Sequence, residues 1–371
     1  MQVGKVAGNM YFCILTMKAY YILLSALVVA LTAGCRQARP EPRPTIPLVL
    51  RIAEDTTAVG RVAAQAGAVG ADGHIALLGE KSDGIRLARR FQSVDFVDNI
   101  DGRTHRDSLP DFAGETFDVL MDVYNEPYAH FFGENSSPDS LREAAVQGAM
   151  FAWDTVGRAK MLILTSSLQA AYGRYDIDTL QQLAGGRCAV LTSAETMLRH
   201  AYDKGARNLA VWASAPVRDA GVYEKVFAEM GLQGATLSVI TPDPALDVCT
   251  EFRHLLRQYH ATGRKLDALL LDSYSMDAAP LLSEMALIRR TSTEEDDAFN
   301  TMMPAHFTIL EPGTCLVEEV YARLRAENLF THRISRPAVR YFITEESLNG
   351  SVQLTPLSNQ YVQTAYVPYL D

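Results

Sequence analysis

The sequence predicts an α/β protein with two doubly wound parallel-sheet lobes, set behind a signal segment and a Pro-rich tether. Three observations predict it. From about Ile46 onward, short β-rich runs alternate with helical patterns. Several runs, such as MLILTS at 161–166 and DALLLDS at 267–273, are almost continuously apolar, as parallel strands covered on both faces should be. The chain has 371 residues, more than one small domain needs and enough for two lobes.

The first element is an address label. Residues 19–34, AYYILLSALVVALTAG, follow Met17-Lys18 and stop before Arg36. This apolar run is short of the roughly 20 residues that a bilayer span needs. A basic residue, an apolar stretch and a small-residue end make a secretory signal over 1–34, with Met17 the more convincing start. LTAGC at 31–35 resembles the lipobox of bacterial lipoproteins: a Leu, small residues, then Cys. That resemblance implies lipid on Cys35, a membrane anchor, and a place in the cell envelope facing the periplasm. After Cys35, RQARPEPRPTIP is expected to be an extended tether to Pro47.

The remaining elements follow from periodicity. Candidate strands lie at 48–52 (LVLRI), 74–79 (HIALLG), 93–98 (SVDFVD), 117–124 (FDVLMDVY), 161–166, 188–193 (CAVLTS), 208–214 (NLAVWAS), 236–241 (TLSVIT), 267–273 and 306–310 (HFTIL). Helices fill the intervals. In 140–156, Leu141, Ala144, Ala145, Gly148, Ala149 and Ala152 share one smooth face suited to close packing. Thr192 and Glu195 have capping-box spacing, and Gly205 suits the stop of the helix they open. Val222, Val226 and Met230 lie one turn apart before Gly231, and Leu316, Val320 and Leu324 align in the same way. The alternation divides into a lobe over 48–194 and a second over 195–331. The tail, 332–371, is expected to form strands about a turn at Asn349-Gly350, with an edge strand or strap over 360–370.

The net charge of -10 lacks the basic footprint of nucleic-acid binding. None of the five cysteines forms a C-x-x-C pair. Cys188, Cys249 and Cys315 sit in or beside apolar stretches and are expected to be free buried thiols, with one disulfide as the alternative and no metal site expected. No G-x-S-x-G, H-E-x-x-H, Walker A or G-x-G-x-x-G motif occurs, so motifs name no catalytic residue and no cofactor. Polar chemistry gathers instead at strand C-terminal ends, where open α/β sheets bind ligands. Asn125, Glu126 and Tyr128 follow the strand at 117–124; Thr165, Ser166 and Ser167 follow MLIL; Ser214 and Arg218 follow NLAVWA; Asp272, Ser273 and Tyr274 follow DALLL. The competing role for each is a helix cap.

The stretch from about Ala189 to Arg325 resembles the second half of type 1 periplasmic sugar-binding proteins and related repressor ligand domains. The resemblance rests on AETMLRHAYDKGARN leading into LAVWAS, then VRDAGVYEKVFAEMGLQ, DALLLDSYSMDAAPLLSEM and HFTILEPGTCLVEEVYARLR. It implies a periplasmic-binding-protein-like pair of lobes closing on a small polar, sugar-like solute. Arg218 would contact that solute and Asp272 would stand at the cleft. The solute would pass to a transporter or be reported to a sensor, and an enzyme is the less favoured reading. NLAVWASAPVRDAGVYEKVFAEMGL with DALLLDSYSM also resembles the second half of aspartate/glutamate racemases. That family places one catalytic Cys after a strand in each lobe. Here DSYS at 272–275 replaces its G-C-T-E, so the resemblance implies a racemase-like enzyme without thiols in position, or a non-catalytic descendant. A third reading is a lipoprotein that binds a protein partner.

Overall fold

The apolar runs become two parallel sheets. In the computed structural model, residues 44–99, 103–121, 138–154, 158–243, 245–346 and 352–365 are described. Strands β1 (His74–Gly79), β2 (Thr116–Met121), β3 (Ala159–Leu164) and β4 (Ala189–Thr192) pair in the order β2-β1-β3-β4. Strands β5 (Asn208–Trp212), β6 (Thr236–Ile240), β7 (Ala268–Leu271) and β8 (Thr308–Leu310) pair in the order β6-β5-β7-β8. Every one of these pairings is parallel. Both sheets therefore share one winding: second, first, third, fourth. The direction of winding reverses between β1 and β3 and again between β5 and β7. Such switch points leave the strand C-terminal ends open to a ligand.

Helices cover both faces, which is why the strands are mostly apolar. The first sheet is flanked by α1 (Pro47–Glu54), α2 (Ala58–Ala64), α3 (Lys81–Ser93), α4 (Pro138–Asp154) and α5 (Ser167–Ala184). The second sheet carries α6 (Ser193–Asp203), α7 (Ala215–Asp219), α8 (Val222–Met230), α9 (Val248–His260), α10 (Ala278–Ile288) and α11 (Glu294–Met302). α12 (Pro312–Ala326) leads back to the first sheet. On one face of the first sheet, Val49, Ala145, Ala149, Ile177 and Leu180 pack on Ala76, Leu78 and Leu162. On the other, Phe91 of α3 and Leu316, Val320 and Leu324 of α12 join Ile75, Leu77 and Phe117. Phe91 and Phe117 stack with centroids 4.5 Å apart. In the second lobe, Met197, Leu198 and Tyr223 cover Leu209, Val211 and Leu270, while Phe252, Leu255 and Phe299 cover Ala210, Leu269 and Leu271. The smooth face of α4 approaches α5 so closely that a Cβ on Gly173 would come within 2.2 Å of Ala145 Cβ.

The chain returns to the sheet where it began. β9 (Ala338–Glu346) pairs in parallel with β2, and β10 (Val352–Leu357) closes that edge antiparallel to β9. A buried ion pair pins the return: Lys160 Nζ lies 2.8 Å from Glu115 Oε2. The same ammonium donates to Leu329 O at 2.7 Å and Ala71 O at 3.0 Å, and Glu115 Oε1 accepts from Thr331 N at 2.9 Å. A buried pair is tolerated when its other hydrogen bonds are satisfied in this way.

Two expected strands are not strands. LVLRI belongs to α1: Pro47 opens the helix, and Val49 and Ile52, three apart, are its buried residues. SVDFVD is the end of α3 and a loop. There the Asp111 carboxylate accepts from Phe96 N and Val97 N, so those donors need no ladder. In place of the expected edge strand or strap over 360–370, the described residues are helical: α13 (Asn359–Ala365) is capped by Ser358 Oγ, which accepts from Tyr361 N at 3.1 Å. The capping box is present, with Thr192 Oγ1 accepting from Glu195 N at 3.3 Å. Among the described residues no helix is long and apolar enough to cross a membrane.

Candidate active site

The ends of β1, β3, β5 and β7, the strands at the two switch points, converge on one cleft of about 390 Å³. Glu80, Asp83 and Arg86 line it beyond β1, Ser166 and Ser167 beyond β3, Trp212 and Ser214 at the end of β5, and Asp272 and Ser273 beyond β7. Gly79 makes the first end possible. Its φ of 148° suits glycine, and a Cβ there would lie 2.5 Å from Thr165 Oγ1. With that contact open, Thr165 N and Oγ1 both donate to Leu78 O, at 2.9 and 3.2 Å. Ser166 then meets the next residue after β1, and its Oγ donates to Glu80 Oε1 at 3.0 Å.

Asp272 is the centre of the cleft. Its backbone N donates to Trp212 O at 2.9 Å, which fixes the end of β7 beside β5. Its Oδ1 accepts from Tyr223 Oη at 2.6 Å and from Ser167 Oγ. Tyr223 belongs to α8 of the second lobe, whereas Ser167 opens α5 of the first. Ser167 Oγ also lies 3.2 Å from Ser193 Oγ at the start of α6. Asp272 thus ties the two switch points together.

Burial pushes the Asp272 carboxyl up to about 6, against the pull of its Ser167 and Tyr223 hydrogen bonds, and repulsion from Glu80 adds to the rise. Burial also raises the Tyr223 phenol well above its usual range, with the Asp272 charge acting in the same direction, so it stays a donor. Asp83 is raised well above the usual carboxylate range, first by burial, then by Glu80 and Asp272; Arg86 opposes the rise. Two donors at the cleft have no acceptor among the described residues: Arg86 Nε and Trp212 Nε1, both buried. Among the described residues no group of His, Cys, Asp and Glu is placed to hold a metal ion.

Of the residues singled out from sequence, Ser166, Ser167, Ser214, Asp272 and Ser273 come together here. Arg218 does not line the cleft. It lies exposed on α7 and binds Asp219 at 2.9 and 2.8 Å, and Val217 faces the cleft instead. Asn125, Glu126, Tyr128 and Cys35 lie outside the described residues. Sequence reasoning missed Glu80, Asp83, Arg86 and Tyr223. The first three had a signal, because GEKSDGIR follows HIALL as the other polar groups follow their strands.

No protein family and no curated protein matches the chain. Solved structures do. Glutamate racemase from Francisella tularensis subsp. tularensis SCHU S4, in complex with D-glutamate, aligns over 75% of this chain and 90% of its own, at 14% identity and a TM-score of 0.50. Glutamate racemase isoform RacE1 from Bacillus anthracis aligns over 76% and 91%, at 16% identity and 0.48. The Aquifex pyrophilus glutamate racemase aligns over 74% and 91%, at 14% and 0.46. At such identity the Francisella likeness shows the fold: a two-lobed α/β unit of the glutamate racemase type.

That match corrects the expectation of a sugar-like solute-binding protein of the periplasmic type, and with it the preference for a non-enzyme. The fold is one that an enzyme uses, and the cleft holds a carboxyl tuned by burial. The racemase resemblance seen in NLAVWAS and DALLLDSYSM agrees with this fold. No described cysteine lines the cleft. Cys188 and Cys315 are buried and free, and burial pushes both thiols up to about 12. Cys249, also free, is raised from its usual value.

Proposed function

We propose that this chain is an acid–base enzyme of the isomerase type, in which Asp272 exchanges a proton with a carbon of a small polar substrate in the interlobe cleft. The observation that carries the reading is Asp272 itself: a shielded carboxyl of pKa about 6, held by Tyr223 and Ser167 where four strand ends meet. A general base works best with a pKa near the operating pH. At neutral pH Asp272 is mostly ionised and still basic enough to accept a proton.

The step needs no thiol and no added reagent. The Asp272 carboxylate takes the proton of a C–H bond beside a carboxyl or carbonyl group. The electron pair of that bond moves into the carbonyl as an enolate. The Asp272 carboxyl then returns the proton, or one gained from solvent, to the same carbon: to the original face it gives exchange alone, and to the opposite face, after the planar enolate has turned, it inverts the carbon. Arg86 and Trp212 carry the cleft's uncommitted donors and suit the negative charge that develops. DSYS stands where the racemase resemblance places G-C-T-E, so Ser273 takes the position of the thiol and the Asp272 carboxylate stands one residue before it.

The test is solvent exchange. The protein is incubated in D2O with pooled L- and D-amino acids and small 2-substituted carboxylic acids, and deuterium at the α-carbon is read by NMR. Wash-in with at least one compound is expected. Asp272→Asn should slow it by about 10²- to 10⁴-fold. Exchange that survives this substitution sinks the assignment.

A further inference from the structure

We infer that the substrate of this cleft is a zwitterionic or cationic α-amino acid, with its ammonium between Glu80 and Asp83 and its carboxylate on Arg86 and Trp212, and not an amino dicarboxylate. The inference rests on reading the cleft as the active site. It starts from the balance of its walls. Three carboxylates, Glu80, Asp83 and Asp272, line the cleft against a single guanidinium, Arg86.

The roles of these groups differ by lobe. Asp272 already accepts from Tyr223 and Ser167, which orient it for proton transfer. Glu80 and Asp83 both stand on the first-lobe wall, three residues apart at the start of α3. Their mutual repulsion is one of the forces that hold Asp83 above the usual carboxylate range. An ammonium placed between them would replace that repulsion with attraction. A second, independent observation points to the other end of the ligand. Trp212 is only 2% exposed, lines the cleft, and has an indole N–H with no acceptor among the described residues. Arg86 Nε is buried and unaccepted in the same way. Buried donors of this kind require an acceptor. A carboxylate supplies one for each.

A small molecule that carries both an ammonium and a carboxylate is an amino acid, and a cleft of about 390 Å³ suits its size. The side chain then faces a wall that still holds an excess of negative charge. A second carboxylate there would meet Asp272, and like charges brought together disfavour binding. A neutral or cationic side chain does not incur this.

The experiment is calorimetric binding to the whole chain, with lysine, ornithine, alanine and glutamate, each as both enantiomers, at up to about 10 mM. Lysine, ornithine or alanine should bind, and glutamate at least about tenfold more weakly. Glu80→Gln and Asp83→Asn should each weaken the bound amino acid by at least about tenfold. Both variants remove repulsion, so their melting temperatures should be no lower than wild type, which separates lost recognition from lost folding. Glutamate binding as tightly as the others, or no amino acid binding at all, overturns the inference. The underlying reading fails separately. If lysine binds but never exchanges its α-proton, the role of Asp272 falls and the substrate class stands. If glutamate is preferred and its exchange needs Asp272, the reverse holds.

Discussion

At the residue scale, Asp272 is held in tension. Burial and Glu80 favour its neutral form, while Tyr223 and Ser167 favour the anion. The sign of its effect on stability follows. Its pKa is raised from 3.8 in the free residue to about 6 in the folded protein. Its contribution to stability is therefore complete below about pH 4 and is lost as pH rises through about 6, a difference of about 3 kcal/mol by pH 7. Asp272→Asn should raise the melting temperature at pH 7 and change it little at pH 4, even as it slows exchange. Thermal melts at the two pH values check this, and a fall at pH 7 would contradict it. Tyr223→Phe keeps the packing and removes a donor to the anion. In that variant the carboxyl carbon of Asp272, followed by 13C NMR, should titrate above the wild-type midpoint of about 6. Asp272, Ser166, Ser214 and Ser273 were legible because each polar residue follows an apolar run. Tyr223 was not. A phenol on an apolar helix face resembles core, and its partner lies 49 positions away. Arg218 misled because a short helix turns its side chain outward to Asp219.

At the scale of elements, small residues decide how the layers meet. Gly173 of α5 rests on Ala145 of α4, and Ala145 has no rotamer by which to give way. Gly173→Ala gains up to about 1 kcal/mol of helix propensity but forces the two helices apart. Overpacking of this kind costs about 1–3 kcal/mol, so denaturant melts should show net destabilisation. Equal or greater stability would mean that the helices can separate freely. The smooth face of α4 was legible in the spacing of its alanines. The start of the described chain was less so, because LVLRI is apolar enough for a strand and helical only in the three-residue spacing of Val49 and Ile52. SVDFVD failed for a different reason. A carboxylate 15 positions from Phe96 satisfies its backbone donor, and no local pattern reports that.

At the scale of the whole molecule, two sheets of identical winding set their switch points face to face, and the cleft is what lies between them. Alternating strands and helices predicted two parallel sheets. They did not predict the strand order or the return of β9 to β2, where Asp118 pairs with Arg340 across 222 positions. Long-range pairing of that kind leaves no periodic trace. The return depends on the buried pair of Lys160 and Glu115. Lys160→Ala leaves Glu115 without its cation and should cost about 3–5 kcal/mol, whereas joint replacement of both residues by apolar ones should recover most of that loss. Equilibrium unfolding of the single and double variants measures the difference.

The most direct test of proton transfer by Asp272 is the pH dependence of α-carbon exchange. In the wild type, kcat/KM should rise tenfold per unit below about pH 6 and level off above it, as the carboxylate forms. Tyr223→Phe should move that limb upward. A rate that stays flat through about pH 6, or a limb unmoved by Tyr223→Phe, would contradict the assignment of Asp272 as the base.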